Sequence, residues 1–79
     1  MPTFQITIHN EDFTASEEQD CPSPDQALKQ AIKAAIDIAT DHVASGKPFF
    51  GAEVLLEEGN RKLARYVVAV GASSLKLDG

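Results

Sequence analysis

The sequence predicts an α+β fold in the order β-β-α-β-β, with a single helix packed on one face of a three- or four-stranded, mainly antiparallel sheet. Three observations predict it. A helix from Pro24 to Ser45 has both of its ends written into the chain. A clean period-two alternation precedes it, and two β-rich runs joined by a short Gly-Asn turn follow it. With 79 residues the chain makes one domain, and at that size only about 60–65% of the extended-chain surface is buried, so the core is modest. Residues 1–71 are expected to form the domain and residues 72–79 a flexible or loosely docked tail.

From Thr3 to His9 the chain places Phe4, Ile6 and Ile8 on one side and Thr3, Gln5, Thr7 and His9 on the other. That is a strand with one dry and one wet face. Asn10-Glu11-Asp12 is turn chemistry, because Asn and Asp side chains hydrogen-bond their own backbone. Phe13-Thr14-Ala15 then reads as a short returning strand, and the acidic stretch from Ser16 to Pro22 as a loop.

The helix opens on Ser23 as N-cap, with Pro24 at the first helical position and Gln26 three residues after the cap. Gly46 ends it in the left-handed conformation that glycine tolerates, and Pro48 prevents resumption. Leu28, Ala31, Ile32, Ala35, Ile36, Ile38, Ala39 and Val43 form its apolar sector. That sector reaches about 200° when Ala27 and Ala34 are included, where a helix on one sheet needs little more than about 100°. Alanine filler is one account of the surplus; the other is a second packing surface, such as a partner subunit, with Ile38 off-centre in the sector.

Beyond Pro48, Phe49 to Glu57 and Lys62 to Val70 form a hairpin around Glu58-Gly59-Asn60-Arg61, with Gly59 and Asn60 expected to supply positive φ. Glu53 or Glu57 is expected to pair across the strands with Lys62 or Arg65. The second arm is apolar on both faces from Tyr66 to Val70, as in a central strand covered on both sides. One helix covers only one face of a sheet, so the uncovered side, with Leu55 and Val67, is a candidate dimer surface. Ile38 joins them as a candidate interaction residue.

Charge and composition narrow the function classes. The net charge is -5, and the six acids Glu11, Asp12, Glu17, Glu18, Asp20 and Asp25 stand before the first basic residue, Lys29. Phosphate backbones are bound by basic faces, so direct nucleic-acid contact is not expected. A basic protein is the partner that such an acidic first half would suit. No apolar run approaches the roughly 20 residues of a membrane span, and no secretory signal pattern opens the chain. A single cysteine, Cys21, makes no intramolecular disulfide, which points to the cytoplasm.

The candidates for chemistry each have an ordinary account. His42, inside the apolar sector and in the last helical turn, is a candidate base or ligand; a ring capping terminal carbonyls explains it as well. Asp37 and Asp41 lack a second His at ligand spacing, and Lys33–Asp37 is an i,i+4 pair on a wet face. His9 beside Asn10, Glu11 and Asp12 does not match an EF-hand loop. Cys21 lies near a helix N-terminus without a second Cys at C-x-x-C spacing. Phe49-Phe50-Gly51 reads as a loop-to-strand transition with one ring in the core. No catalytic, cofactor-binding or metal-ligating residue is therefore assigned, and no cofactor is expected.

Two resemblances accompany these readings. Met1-Pro2-x-Phe4-x-Ile6-x-Ile8-x-Asn10, Asp20-x-Pro22, the Ala-rich helix, Ser45-Gly46-Lys47-Pro48 and Glu58-Gly59 resemble a family of short bacterial proteins known only as a domain of unknown function. That resemblance spans nearly the whole chain and implies a small intracellular α+β protein without an assigned activity. Within residues 1–45, Ile6, Ile8, Asp12-Phe13-x-Ala15, Cys21 and Ser23-x-Asp25-x-Ala27-Leu28-x-x-Ala31 resemble the N-terminal half of HicB-type antitoxins. It implies a module that blocks a basic toxin nuclease. The sequence departs from that family in reading Gln19-Asp20-Cys21, without the glycine before the cysteine, and in lacking a following DNA-binding segment. The leading expectation is a non-enzymatic, regulatory interaction module that forms a homodimer through the open sheet face or an edge. An antitoxin-like role is one alternative, and a small enzyme or ligand-binding protein using the groove near His42 is another.

Overall fold

A computed structural model describes residues 1–73 and 75. Strands β1 (Thr3–His9) and β2 (Thr14–Asp20) precede helix α1 (Pro24–Ala44), and strands β3 (Phe49–Glu58) and β4 (Arg61–Gly71) follow it. The four strands form one sheet in the order β2-β1-β3-β4, each neighbour pair antiparallel. Both β2 and β3 run antiparallel to β1, so they are parallel to each other with β1 between them. A connection between parallel strands must cross the sheet, and α1 is that crossover.

The helix begins and ends where its punctuation places it. The Ser23 hydroxyl accepts the Gln26 N–H at 3.3 Å, with Pro24 in the first turn. At the other end the Ser45 N–H donates to the Asp41 carbonyl and the Gly46 N–H to the Val43 carbonyl, both at 3.1 Å, with Gly46 at φ 109°. These bonds occupy carbonyls that a helix terminus otherwise leaves open.

The core lies between α1 and the two central strands. Phe4, Ile6 and Ile8 of β1 and Phe50, Ala52, Val54 and Leu56 of β3 pack against Ala27, Ala31, Ala35 and Ala39. The four alanines, spaced four residues apart, are each completely buried. Small side chains there let the helix backbone approach the sheet closely, and the strands supply the bulk. Seated this way, α1 lies over β3 and β4 more than over β1. Cys21 is buried where β2 turns into α1; its Sγ reaches Gln30 Oε1 at 3.6 Å and its N–H donates to the Pro2 carbonyl.

Three expectations are corrected. The stretch from Ser16 to Asp20 is strand rather than loop, because all of it pairs in register with β1, from Thr3↔Asp20 to His9↔Thr14. Backbone pairing overrides the low strand preference of Glu and Asp. Strand β4 is an edge of the sheet, not a central strand; β1, which pairs on both sides, takes the central place beside β3. In the β3–β4 turn only Gly59 has positive φ, at 60°, and Asn60 does not. One positive φ at the first turn position suffices for a two-residue hairpin of the II′ kind. A register shift at Leu56/Glu57 leaves Leu63 as an extra residue, which packs against the core. The expected tail falls largely outside the described residues; within it, the Ala72 N–H donates to the Pro48 carbonyl at 2.8 Å.

Candidate functional site

One face of the sheet carries no helix, and its two halves differ. On β1 and β2 it is a polar ladder. The Thr3 hydroxyl donates to Asp20 Oδ1 at 2.6 Å, Gln5 Nε2 donates to Ser16 Oγ at 3.0 Å, and the Thr7 and Ser16 hydroxyls bond at 3.2 Å. On β3 and β4 the alternation instead brings up Phe49, Leu55, Val67 and Ala69 around one charged group. Leu55 is half-buried among its neighbours, whereas Val67 is 77% and Phe49 64% exposed. The Phe49 ring lies over Gly51, its edge about 3.1 Å from where a Cβ would stand.

The charged group is a diagonal cross-strand pair. Arg65 donates through Nε to Glu53 Oε1 at 2.9 Å and through Nη2 to Oε2 at 3.1 Å. His9 Nε2 stands 3.4 Å from the same Oε1. The Arg65 hydrogen bond draws the Glu53 carboxyl below its ordinary pKa, against the opposing effect of partial burial, and Glu53 in turn raises Arg65. Of the pairings open in the sequence, the structure selects Glu53 with Arg65. Two parallel N–H···O bonds fix this pair in one geometry.

The edge strand adds a second surface continuous with the first. Along β4, Val67 points to the open face and Tyr66, 46% exposed, to the helix side. Its outer backbone groups have no strand beside them in the sheet. Ile36 on α1 is also exposed, at 44%. Of the three candidate interaction residues, Leu55 and Val67 share the open face as diagonal neighbours. Ile38 does not join them. It lies across the sheet, in a groove with Ala34, Ile6, Ile8, Ala15 and Glu17. Phe50 is the one ring of the Phe49-Phe50 pair in the core, as expected, and Phe49 stays outside; Tyr66 and Ile36 are the surface residues that sequence reasoning did not single out. The apolar run at Tyr66 to Val70 was the available signal, because it describes an exposed edge as well as a covered centre.

A second groove is lined by Asn10, Asp12, His42, Lys47, Phe49 and Phe50 among others. There His42 is spoken for. Its Nδ1 lies 3.3 Å from the Ile38 carbonyl, and its ring packs 4.9 Å from that of Phe50 and 6.4 Å from that of Phe13, centre to centre. The Asn10 side chain organises the adjoining turn, accepting from the Asp12 and Phe13 N–H groups and donating to the Gly51 carbonyl. Lys33 and Asp37 pair at 3.2 Å on the wet side of the helix. Among the described residues no three His, Cys, Asp or Glu side chains gather at a point where they hold a metal. Among the described residues no helix is long and apolar enough to cross a membrane.

Compared with known proteins, residues 3–68 match the model of a family described as Domain of unknown function (DUF6894). No curated protein and no solved structure matches the chain.

Proposed function

The chain belongs to the DUF6894 family, whose function is unknown, and we propose from its surfaces that it is a small non-enzymatic interaction module that self-associates as a homodimer. The observation that carries this reading is the β3–β4 end of the sheet. The second half of an edge strand, Tyr66 to Val70, is apolar on both sides and adjoins a helix-free face, with Tyr66 and Val67 on β4 and Phe49 on β3 each 46–77% exposed. Monomers blunt such edges with charge or cover them. Full burial of a large apolar side chain contributes roughly 1.5–3 kcal/mol. Three such side chains from each copy, scaled by their exposure, match the lower part of the roughly 4–15 kcal/mol that association costs. A gain that only matches this cost leaves little surplus, so the expected dimer is weak and dependent on concentration. A cytoplasmic setting fits a lone, buried and unpaired Cys21.

Sedimentation velocity or light scattering on the full chain tests the reading. The parent is expected to sediment as two chains, and Val67→Lys, an exposed position whose new charge stands directly across from Glu53, as one. A parent that stays monomeric at its highest soluble concentration overturns it. That result leaves the antitoxin-like alternative, in which Glu17, Glu18 and Asp20 along β2 meet a basic partner.

A further inference from the structure

We propose that the second copy adds at the β4 edge: two β4 strands pair antiparallel about a two-fold axis near Val67, giving one eight-stranded sheet with both helices on the same side. This rests on the self-association reading and specifies its geometry.

The backbone of an edge strand is satisfied by another strand, and the charges along each edge decide which. Strand β4 holds Arg61, Lys62 and Arg65 in its first half and no charge from Tyr66 to Gly71. Antiparallel self-pairing lays the basic half of one copy against the uncharged half of the other. With the axis at Val67, Arg65 stands opposite Ala69, and Leu63 opposite Gly71. On the helix side Tyr66 meets Val68 and Ala64 meets Val70, apolar against apolar; on the open side Val67 meets its own copy. The same operation on β2 opposes acids, because an axis at Glu17 faces that residue with itself. Like charges directly opposite destabilise a pair.

The helix supplies an independent observation. Ala34 and Ile38 line the groove beside β1 and β2. At 100° per residue, Ile32 and Ile36 fall on the opposite flank, toward β4, on which α1 also rests. Ile36 is 44% exposed there, on the same side of the sheet as Tyr66. When two β4 strands pair with both helices above them, the two Ile36 flanks face each other across the seam. In a face-to-face dimer the helices lie outermost and Ile36 stays in water. Face stacking also strips water from the Glu53–Arg65 pair, a cost that edge pairing avoids.

Two measurements on the full chain separate the modes. Ile36→Glu, at an exposed helix position, is expected to weaken the dimer tenfold or more while the circular dichroism spectrum and melting temperature stay near the parent's. Oxidation of Val67→Cys is expected to give a covalent dimer, and oxidation of Leu55→Cys to give none. In the edge mode the two Leu55 positions stand three strand spacings apart across the sheet, about 14 Å, and four residues apart along it, about 13 Å, where a disulfide needs Cα atoms within about 7 Å. Native Cys21, 1% exposed, does not compete. A dimer untouched by Ile36→Glu overturns edge pairing whatever Val67→Cys does, as does a disulfide at Leu55→Cys; either result leaves self-association standing. A monomeric parent removes both.

Discussion

Asn10 ties three parts of the molecule together through one side chain. Its Oδ1 accepts from the Asp12 N–H at 2.8 Å and the Phe13 N–H at 3.2 Å, which shapes the β1–β2 turn, and its Nδ2 donates to the Gly51 carbonyl at 3.1 Å, which ties the turn to β3. Asn10→Ala removes all three bonds at a partly buried site and is expected to cost about 1–3 kcal/mol, measured by urea unfolding. Asn10→Asp keeps the acceptor but turns a carboxylate oxygen toward the Gly51 carbonyl in place of the donor, so its unfolding midpoint is also expected to fall below the parent's. Glu53 titrates in a direction set by a different neighbour. Its carboxyl is drawn down chiefly by Arg65, so the pair stabilises the fold above the unfolded-state pKa of the carboxyl. That contribution is lost as pH falls through the lower, folded-state pKa. In Arg65→Gln the Glu53 titration, followed by carboxyl NMR, is expected to move up toward the ordinary glutamate range. Added salt is expected to move the parent in the same direction, since the pair is in reach of solvent. A Glu53 titration unchanged by Arg65→Gln contradicts the assigned cause.

At the scale of elements, α1 separates two roles that its broad apolar sector ran together. The stripe Ala27, Ala31, Ala35 and Ala39 sets the distance between helix and sheet, and the exposed Ile36 sets nothing within the single chain. Ala35→Leu is therefore expected to destabilise by roughly 1–3 kcal/mol or more, through overpacking a completely buried site. Ile36→Ala is expected to change monomer stability by less than about 1 kcal/mol. Urea unfolding at low protein concentration checks both, and equal losses refute the division. The helix limits were legible because Ser23, Pro24 and Gly46 act on backbone groups within a turn of themselves. The alternation in β1 and the presence of an acid–base pair across the β3–β4 hairpin were legible because they follow from period two and a short turn; which acid met which base was left to the register. The length of β2 was not. Ser16 to Asp20 becomes strand through the pairing offered by β1 rather than through any preference of its own. Nor was the edge position of β4 legible, because strand order depends on contacts between distant segments and an apolar run fits a centre or an edge. That same uncertainty hid the candidate site. Leu55 and Val67 were placed on one surface by alternation, while Ile38 was grouped with them by helix width alone and lies across the sheet.

The whole molecule is a sheet with two unlike edges, and their difference bears on how far assembly can proceed. Edge β2 carries Glu17, Glu18 and Asp20, and edge β4 is apolar beyond Arg65. If β4 of one copy met β2 of the next, each addition would expose another pair of free edges, and the sheet would grow without closing. Basic residues at the start of β4 give some attraction to an acidic β2, so charge alone does not forbid that contact. Burial opposes it. Val67, Val68 and Val70 would be set beside a strand whose exposed positions are almost all polar, and the gain per residue would be smaller than in self-pairing. On the proposed edge pairing, the acids on β2 would act as gatekeepers that leave β4 its own copy as the better partner. Glu17→Thr with Glu18→Val removes both charges and raises the strand preference of this edge without touching β4. The parent is expected to stop at two chains at every concentration in light scattering, and the double variant to climb beyond two, with the excess growing as concentration rises. A double variant that also stops at two would show that something other than the Glu17 and Glu18 charges closes the assembly.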